Sequence, residues 1–180
     1  LSQTIEIEVT EKTEPKPEEI PTKGLAFNQT NPQYINRNTN LLLSVTPTPS
    51  NATDPVEWEI ISGEDVVELV PDEENDRRCT VEGKNVGAAV IVAKAGDAKT
   101  SSFTVEVSGI TLDPLTLDLF EGGEPGTLVA SRYGAARTMQ LIWESQSEPI
   151  ANVVSGKVYP NGIGTAKIIV SAGANYRAEC

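Results

Sequence analysis

The sequence predicts an all-β chain built as two tandem antiparallel β-sandwiches. Three observations predict it. One frame of residues occurs twice, apolar residues alternate with polar ones over short stretches, and no apolar stripe of helical period reaches helical length. Short strands with turn signals at close intervals form antiparallel sheets that stack face to face.

The repeated frame begins with Val56-Glu-Trp58 and continues from Val81 to a run bounded by glycines, Gly87-Ala-Ala-Val-Ile-Val-Ala-Lys-Ala-Gly96. Its second copy begins with Leu141-Ile-Trp143 and continues from Val158 to Gly164-Thr-Ala-Lys-Ile-Ile-Val-Ser-Ala-Gly173. In each copy a Val stands six residues before the first Gly, and the glycines are nine apart. A fixed spacing used twice marks two copies of one module. The boundaries read as an isolated strand in 1–10, a linker in 11–23, a first module in 24–108 and a second in 109–180.

Taken in order, Thr4 to Val9 alternates Ile5, Ile7 and Val9 with Glu6 and Glu8. It reads as a half-buried strand that cannot cover its apolar face alone. It is the last strand of a preceding domain, a strand paired on its own chain, or one donated to a neighbour. Pro15, Pro17 and Pro21 then mark an extended, charged tether. Strands are expected at Leu41–Val45, closed by Pro47 and Pro49, and at Val56–Ile60, Val66–Val70, Cys79–Val81, Ala88–Ala95 and Ser102–Val107. In the second module they are expected at Leu115–Leu119, Thr127–Ala130, Met139–Trp143, Ile150–Val154, Lys157–Tyr159 and Ala166–Ala172. One more begins at Tyr176, and Cys180 follows Gly173 by the same seven residues that separate Phe103 from Gly96. By that alignment the last strand looks truncated, because the first module continues to Val105 and Val107.

Trp58, Trp143 and the runs Gly87–Gly96 and Gly164–Gly173 together resemble the group 2 bacterial immunoglobulin-like domain. The resemblance covers all but the N-terminal strand and linker. It implies two tandem immunoglobulin-like sandwiches. Each Trp would fill the space between sheets. Gly87 and Gly164 would open a turn with positive φ, and Gly96 and Gly173 would sit in the following hairpins. The first copy departs from the pattern in its paired Ala88-Ala89 and in a longer acidic insert, Asp72 to Asp76. The family resemblance implies a repeat in bacterial surface proteins or phage virions that carries no catalytic residues.

Composition narrows the chemistry. A net charge of −12 at pH 7 argues against nucleic acid, whose phosphates need clustered Lys and Arg. It also argues against docking on anionic membrane, and no apolar run is long enough to insert in one. With no histidine, His-based triads and His metal ligands are excluded. Cys79 and Cys180 lie in different modules and read as structural thiols. The turn Asp72-Glu-Glu-Asn-Asp76 has carboxylates for Ca²⁺ but neither the loop spacing nor the bidentate Glu of a calcium site, so it reads as a solvated turn. Nothing places two acids across a cleft, and no catalytic, cofactor or metal residue is assigned. Tyr34, Tyr133, Tyr159 and Tyr176 form no planar group for sugar stacking, and Arg132, Tyr133 and Arg137 read as a surface hairpin.

These readings converge on a non-enzymatic stalk or spacer module at a cell surface or virion surface. Two alternatives stand beside it. One is an adhesin whose loops, with Arg132 and Tyr133, contact a host protein or surface glycan. The other is head-to-tail assembly by donation of strand 4–9.

Overall fold

The computed structural model describes residues 18–180. The expected strand in 4–9 and most of the expected linker lie outside the described residues. The first half contains β1 (Gly24–Phe27), β2 (Gln33–Ile35), β3 (Asn40–Thr48), β4 (Val56–Ser62), β5 (Val67–Pro71), β6 (Arg78–Gly83), β7 (Gly87–Ala95), β8 (Ala98–Lys99) and β9 (Phe103–Val107). They form two sheets, β1-β3-β6-β5 and β2-β9-β7-β4, with β8 attached to β7. Pairing is antiparallel except where β2 runs parallel to β9, Gln33 opposite Val105 and Ile35 opposite Val107. Two such sheets with this strand order are the immunoglobulin-like arrangement.

Alternation decides which side chains meet between the sheets. Phe103, Val105 and Val107 point inward from β9, Ala89 and Ile91 from β7, and Leu43 and Val81 from the opposing sheet, all fully buried. The centre of this core belongs to Phe103, whose ring lies 4.6 Å from that of Phe27. Trp58 was expected there, but it is only half-buried and covers the core from its margin. Its ring is 6.0 Å from Phe27, and its indole N–H donates to the Asp76 carbonyl at 2.8 Å. An indole with an N–H to satisfy lies well where the apolar side is covered and a carbonyl is in reach.

The second half contains β10 (Gly109–Asp113), β11 (Gly126–Thr127), β12 (Val129–Tyr133), a short 3-10 helix (Gly134–Thr138), β13 (Leu141–Ser145), β14 (Ala151–Val154), β15 (Lys157–Pro160), β16 (Ile168–Ala172) and β17 (Tyr176–Glu179). β10 pairs with β12, β15 lies between β11 and β14, and β16 lies between β13 and β17, all antiparallel. Ile110, Leu112, Leu128, Val158, Ile168 and Val170 form the core, with Trp143 packed on it from a half-buried position.

The structure departs from the expected strands in several places: β1, β2 and β10 were not expected, and β16 begins at Ile168 instead of Ala166. β3 runs through Pro47 instead of ending there. Its pairing with β6 stops at Ser44, so the missing Pro47 N–H forfeits no bond on that side. Leu115–Leu119 is irregular. Its alternation still turns Leu117 and Leu119 toward the core, but no strand among the described residues pairs with it. The chain joins the first sandwich before Gly24: Ile20 and Thr53 exchange hydrogen bonds at 2.8 Å, and the Lys23 N–H donates to the Thr48 carbonyl at 2.7 Å.

The four repeated glycines divide by cause. Gly96 and Gly173 take left-handed φ of +54° and +59° in the hairpins after β7 and β16. At Gly87 and Gly164, space is the sharper constraint. A Cβ there would lie 2.7 Å from Val66 Cγ2 and 2.7 Å from Ile150 Cδ1, respectively. Both positions thus admit a neighbouring aliphatic side chain across the sandwich.

Cys79 on β6 has no exposed surface, and burial pushes its thiol up to about 11 from the ordinary 9.0. Cys180 is half-buried, and both thiols are free.

Two outcomes follow from this core. Phe103→Ala is expected to destabilise the chain by about 3–5 kcal/mol in urea unfolding, because a buried ring leaves a cavity. Between pH 9 and 11 the unfolded Cys79 thiol ionises while the folded one keeps its proton, so stability falls as pH rises. The slope for one such group approaches about 1.4 kcal/mol per pH unit. Urea midpoints measured at pH 8, 9, 10 and 11 are expected to fall less steeply in Cys79→Ala.

Candidate functional site at the junction of the halves

β9 ends at Val107 and β10 begins at Gly109, so Ser108 alone separates them. Inward-facing residues of β9 belong to the first core. Glu106 points the other way, into the 3-10 helix of the second half, and that contact buries it to 4% exposure. Its carboxylate is fully engaged. Oε2 accepts from Arg137 Nε at 2.7 Å and from the Gly134 N–H at 2.6 Å, and Oε1 accepts from Arg137 Nη2. The two-pronged guanidinium contact fixes direction as well as distance. Hydrogen bonding to Glu106, followed by its charge, raises the Arg137 pKa.

Ser108 ties the same elements from the backbone. Its N–H donates to the Ile35 carbonyl at 2.8 Å, and its hydroxyl oxygen accepts from the Ala135 N–H at 3.1 Å. Gly134 has φ +55°, and any Cβ on it would collide with Ser108. Gly109 is equally constrained by Val86. At the other margin the Tyr176 hydroxyl meets Asn36 Oδ1 at 3.4 Å. A polar groove of about 460 Å³ opens beside these contacts, lined by Asn36, Arg37, Val86, Ser108, Tyr176 and Arg177 among others.

The residues singled out from sequence are used differently from expectation. Arg132 and Arg137 are not free hairpin cations. Arg132 Nη1 donates to the Met139 carbonyl at 2.6 Å, and Arg137 holds Glu106. The reason is covalent proximity: the one-residue link brings their loop against β9. Tyr133 and the half-exposed Tyr34 lie near enough to Arg137 to act on its charge. Tyr159 stands apart on β15. In the acidic turn, Asp72 Oδ1 accepts from the backbone N–H groups of Glu74 and Asn75 at 2.9 and 3.2 Å, and Asp76 Oδ2 accepts from Val56 at 2.7 Å. Among the described residues no group of three or more acidic or Cys side chains is placed to hold a metal ion.

Glu106 was missed from sequence. Val105-Glu106-Val107 reads as ordinary strand alternation, and only the packing of the second half on its outer face buries the carboxylate.

No protein-family model matches the chain, and no curated protein matches it. Solved structures share its general form at low similarity. Domains 5-6 of the S-layer protein SbsC are 14% identical with a TM-score of 0.38, over 86% of this chain and 94% of that one. The I9-I11 tandem from titin is 12% identical with a TM-score of 0.34, over 86% of this chain and 64% of that one. A C-terminal 282-residue fragment of intimin, in complex with the intimin-binding domain of its translocated receptor, is 17% identical with a TM-score of 0.35. It is matched over 87% of this chain and 61% of that one, so the chain spans less than two thirds of the titin and intimin fragments. Likeness at this level carries no argument about activity or partners, and the fold class rests on the sheets and cores described above.

Arg137→Ala is expected to release Gly134, Ala135 and Ser108. Their amides should exchange with deuterium roughly tenfold faster, while amides of β6 and β7 stay unchanged. Arg137→Lys should fall between, since an ammonium cannot reproduce the two-pronged contact.

Proposed function

We propose that the chain is a non-catalytic spacer segment of a surface protein, made of two immunoglobulin-like modules in residues 24–108 and 109–180. The observation that carries this reading is the clamp of Glu106, Arg137, Ser108 and Gly134 across a one-residue link. Two modules joined by a flexible linker would sample many angles. A link of one residue with a buried carboxylate across it holds them to few, and a stiff pair keeps whatever it bears at a set distance.

The contacts at the junction support an end-to-end reading of the two modules. β7 leads away from the junction in the first half, and β16 runs toward it in the second. Strand rise makes β7, with nine residues, about 30 Å long and β16, with five, about 17 Å long. The acidic surface, at a net charge of −12, suits a protein kept apart from its neighbours in water. The repeated Trp and Gly positions support assignment to the group 2 bacterial repeats, with a cell surface or phage virion as the setting.

Small-angle X-ray scattering of wild type and Arg137→Ala tests this. A single extended shape for wild type, broadening in the variant, is the expected result. A wild-type ensemble as broad as the variant's would overturn the spacer reading.

A further inference from the structure

The cations singled out from the sequence are spent: Arg132 holds the Met139 carbonyl and Arg137 holds Glu106. Two other cations at the junction are not. Arg37, in the turn after β2, uses its Nε on the Lys84 carbonyl at 3.0 Å, which restrains the guanidinium plane and leaves the two terminal nitrogens. Among the described residues Arg37 has no carboxylate partner. Arg177, on β17, has Glu179 at 3.6 Å, but Lys167 also holds Glu179 at 3.1 Å. The side chains of Arg177 and Glu179 are 56% and 51% exposed, so water screens their pairing and it holds the guanidinium weakly.

Both guanidinium groups line the polar groove of about 460 Å³ beside the clamp. Arg37 reaches it with Asn36 from the first half, and Arg177 with Asn175 and Tyr176 from the hairpin between β16 and β17. No Asp or Glu lines this groove. In a chain with 26 acidic and 14 basic residues, that lining sets the groove apart. Two further surface grooves carry carboxylates, Asp118 in one and Glu59, Glu64 and Glu68 in the other. The net charge of −12 does not govern so local a site, because salt at about 0.15 M largely screens exposed charges beyond about 8 Å.

We propose that this groove binds a sugar acid, a monosaccharide unit with one carboxylate among its hydroxyls. The volume lies in the range of small-ligand sites, about 300–1,000 Å³. The planar fork of a guanidinium matches the two oxygens of a carboxylate. Asn36, Asn175 and Tyr176 each donate and accept, which is what sugar hydroxyls require. Three neutral hydrogen-bonding side chains beside two cations fit a ligand with one charge and several hydroxyls. The contact of the Tyr176 hydroxyl with Asn36 Oδ1, at 3.4 Å, is long for an O–H donor, so a ligand hydroxyl can replace it. Asn175 is exposed and open to the ligand from the same side.

Titration of the isotope-labelled 180-residue chain with D-glucuronate and with D-galacturonate, followed by amide NMR, tests the proposal. Shifts are expected at Asn36, Arg37, Asn175, Tyr176 and Arg177, with β6 and β7 unmoved. Arg37→Ala and Arg177→Ala should each weaken binding about tenfold, the effect of losing a charge-assisted hydrogen bond. Their exposure lets both variants fold, which unchanged amides in β6 and β7 would verify. Glucose, which lacks the carboxylate, and acetate, which lacks the hydroxyls, should each bind at least about tenfold more weakly than the sugar acids. Absence of shifts with both sugar acids, or binding that survives both arginine changes, would overturn the proposal. Acetate or a short glutamate peptide that binds as tightly as the sugar acids would overturn it too, by showing that the sugar contributes nothing.

Discussion

Strand β9 is the element on which both halves depend, because its two faces do different work. The inward face supplies Phe103, Val105 and Val107 to a core that has no other fully buried aromatic ring among the described residues. The outward face supplies Glu106, a carboxylate that can be buried only because Arg137 and the Gly134 N–H satisfy it. A charge taken out of water without such partners would destabilise the fold. The same five residues therefore serve the first core on one face and the contact with the second half on the other.

That arrangement explains why the link is so short. Ser108 has to keep its backbone on Ile35 and its hydroxyl on Ala135, and Gly109 and Gly134 have to pass within van der Waals contact of Val86 and Ser108. A longer connection would relax each of those contacts and leave Glu106 facing solvent. Close packing at the junction thus accompanies the burial of one carboxylate beside a chain crossing.

The comparison of the halves is equally instructive about edges. Both sandwiches use the same glycines for the same close approach, Gly87 to Val66 and Gly164 to Ile150. Yet a run that is a nine-residue strand in the first half shrinks to the five residues Ile168–Ala172 in the second. The second run is also the more polar, with Thr165 and Lys167 where the first has Ala88 and Val90. Gly87 to Val90 lie beside β9, which completes their ladder.

Much of the fold could be read from the sequence. Alternation placed the strands around Val56, Cys79, Gly87 and Phe103, and the repeated spacing marked the two halves, because period two and turn chemistry are local properties of the chain. Three outcomes needed the tertiary structure. Leu115–Leu119 alternates like a strand but has no partner among the described residues, Pro47 sits inside a strand because one side of it is unpaired, and Trp58 yields the core centre to Phe103. The candidate site was the least legible part. Arg137 and Glu106 are 31 residues apart in the sequence and each looks like an ordinary surface charge. Only the path of the chain through Ser108 brings them together, and only the shared burial of that crossing turns an exposed pair of side chains into a clamp.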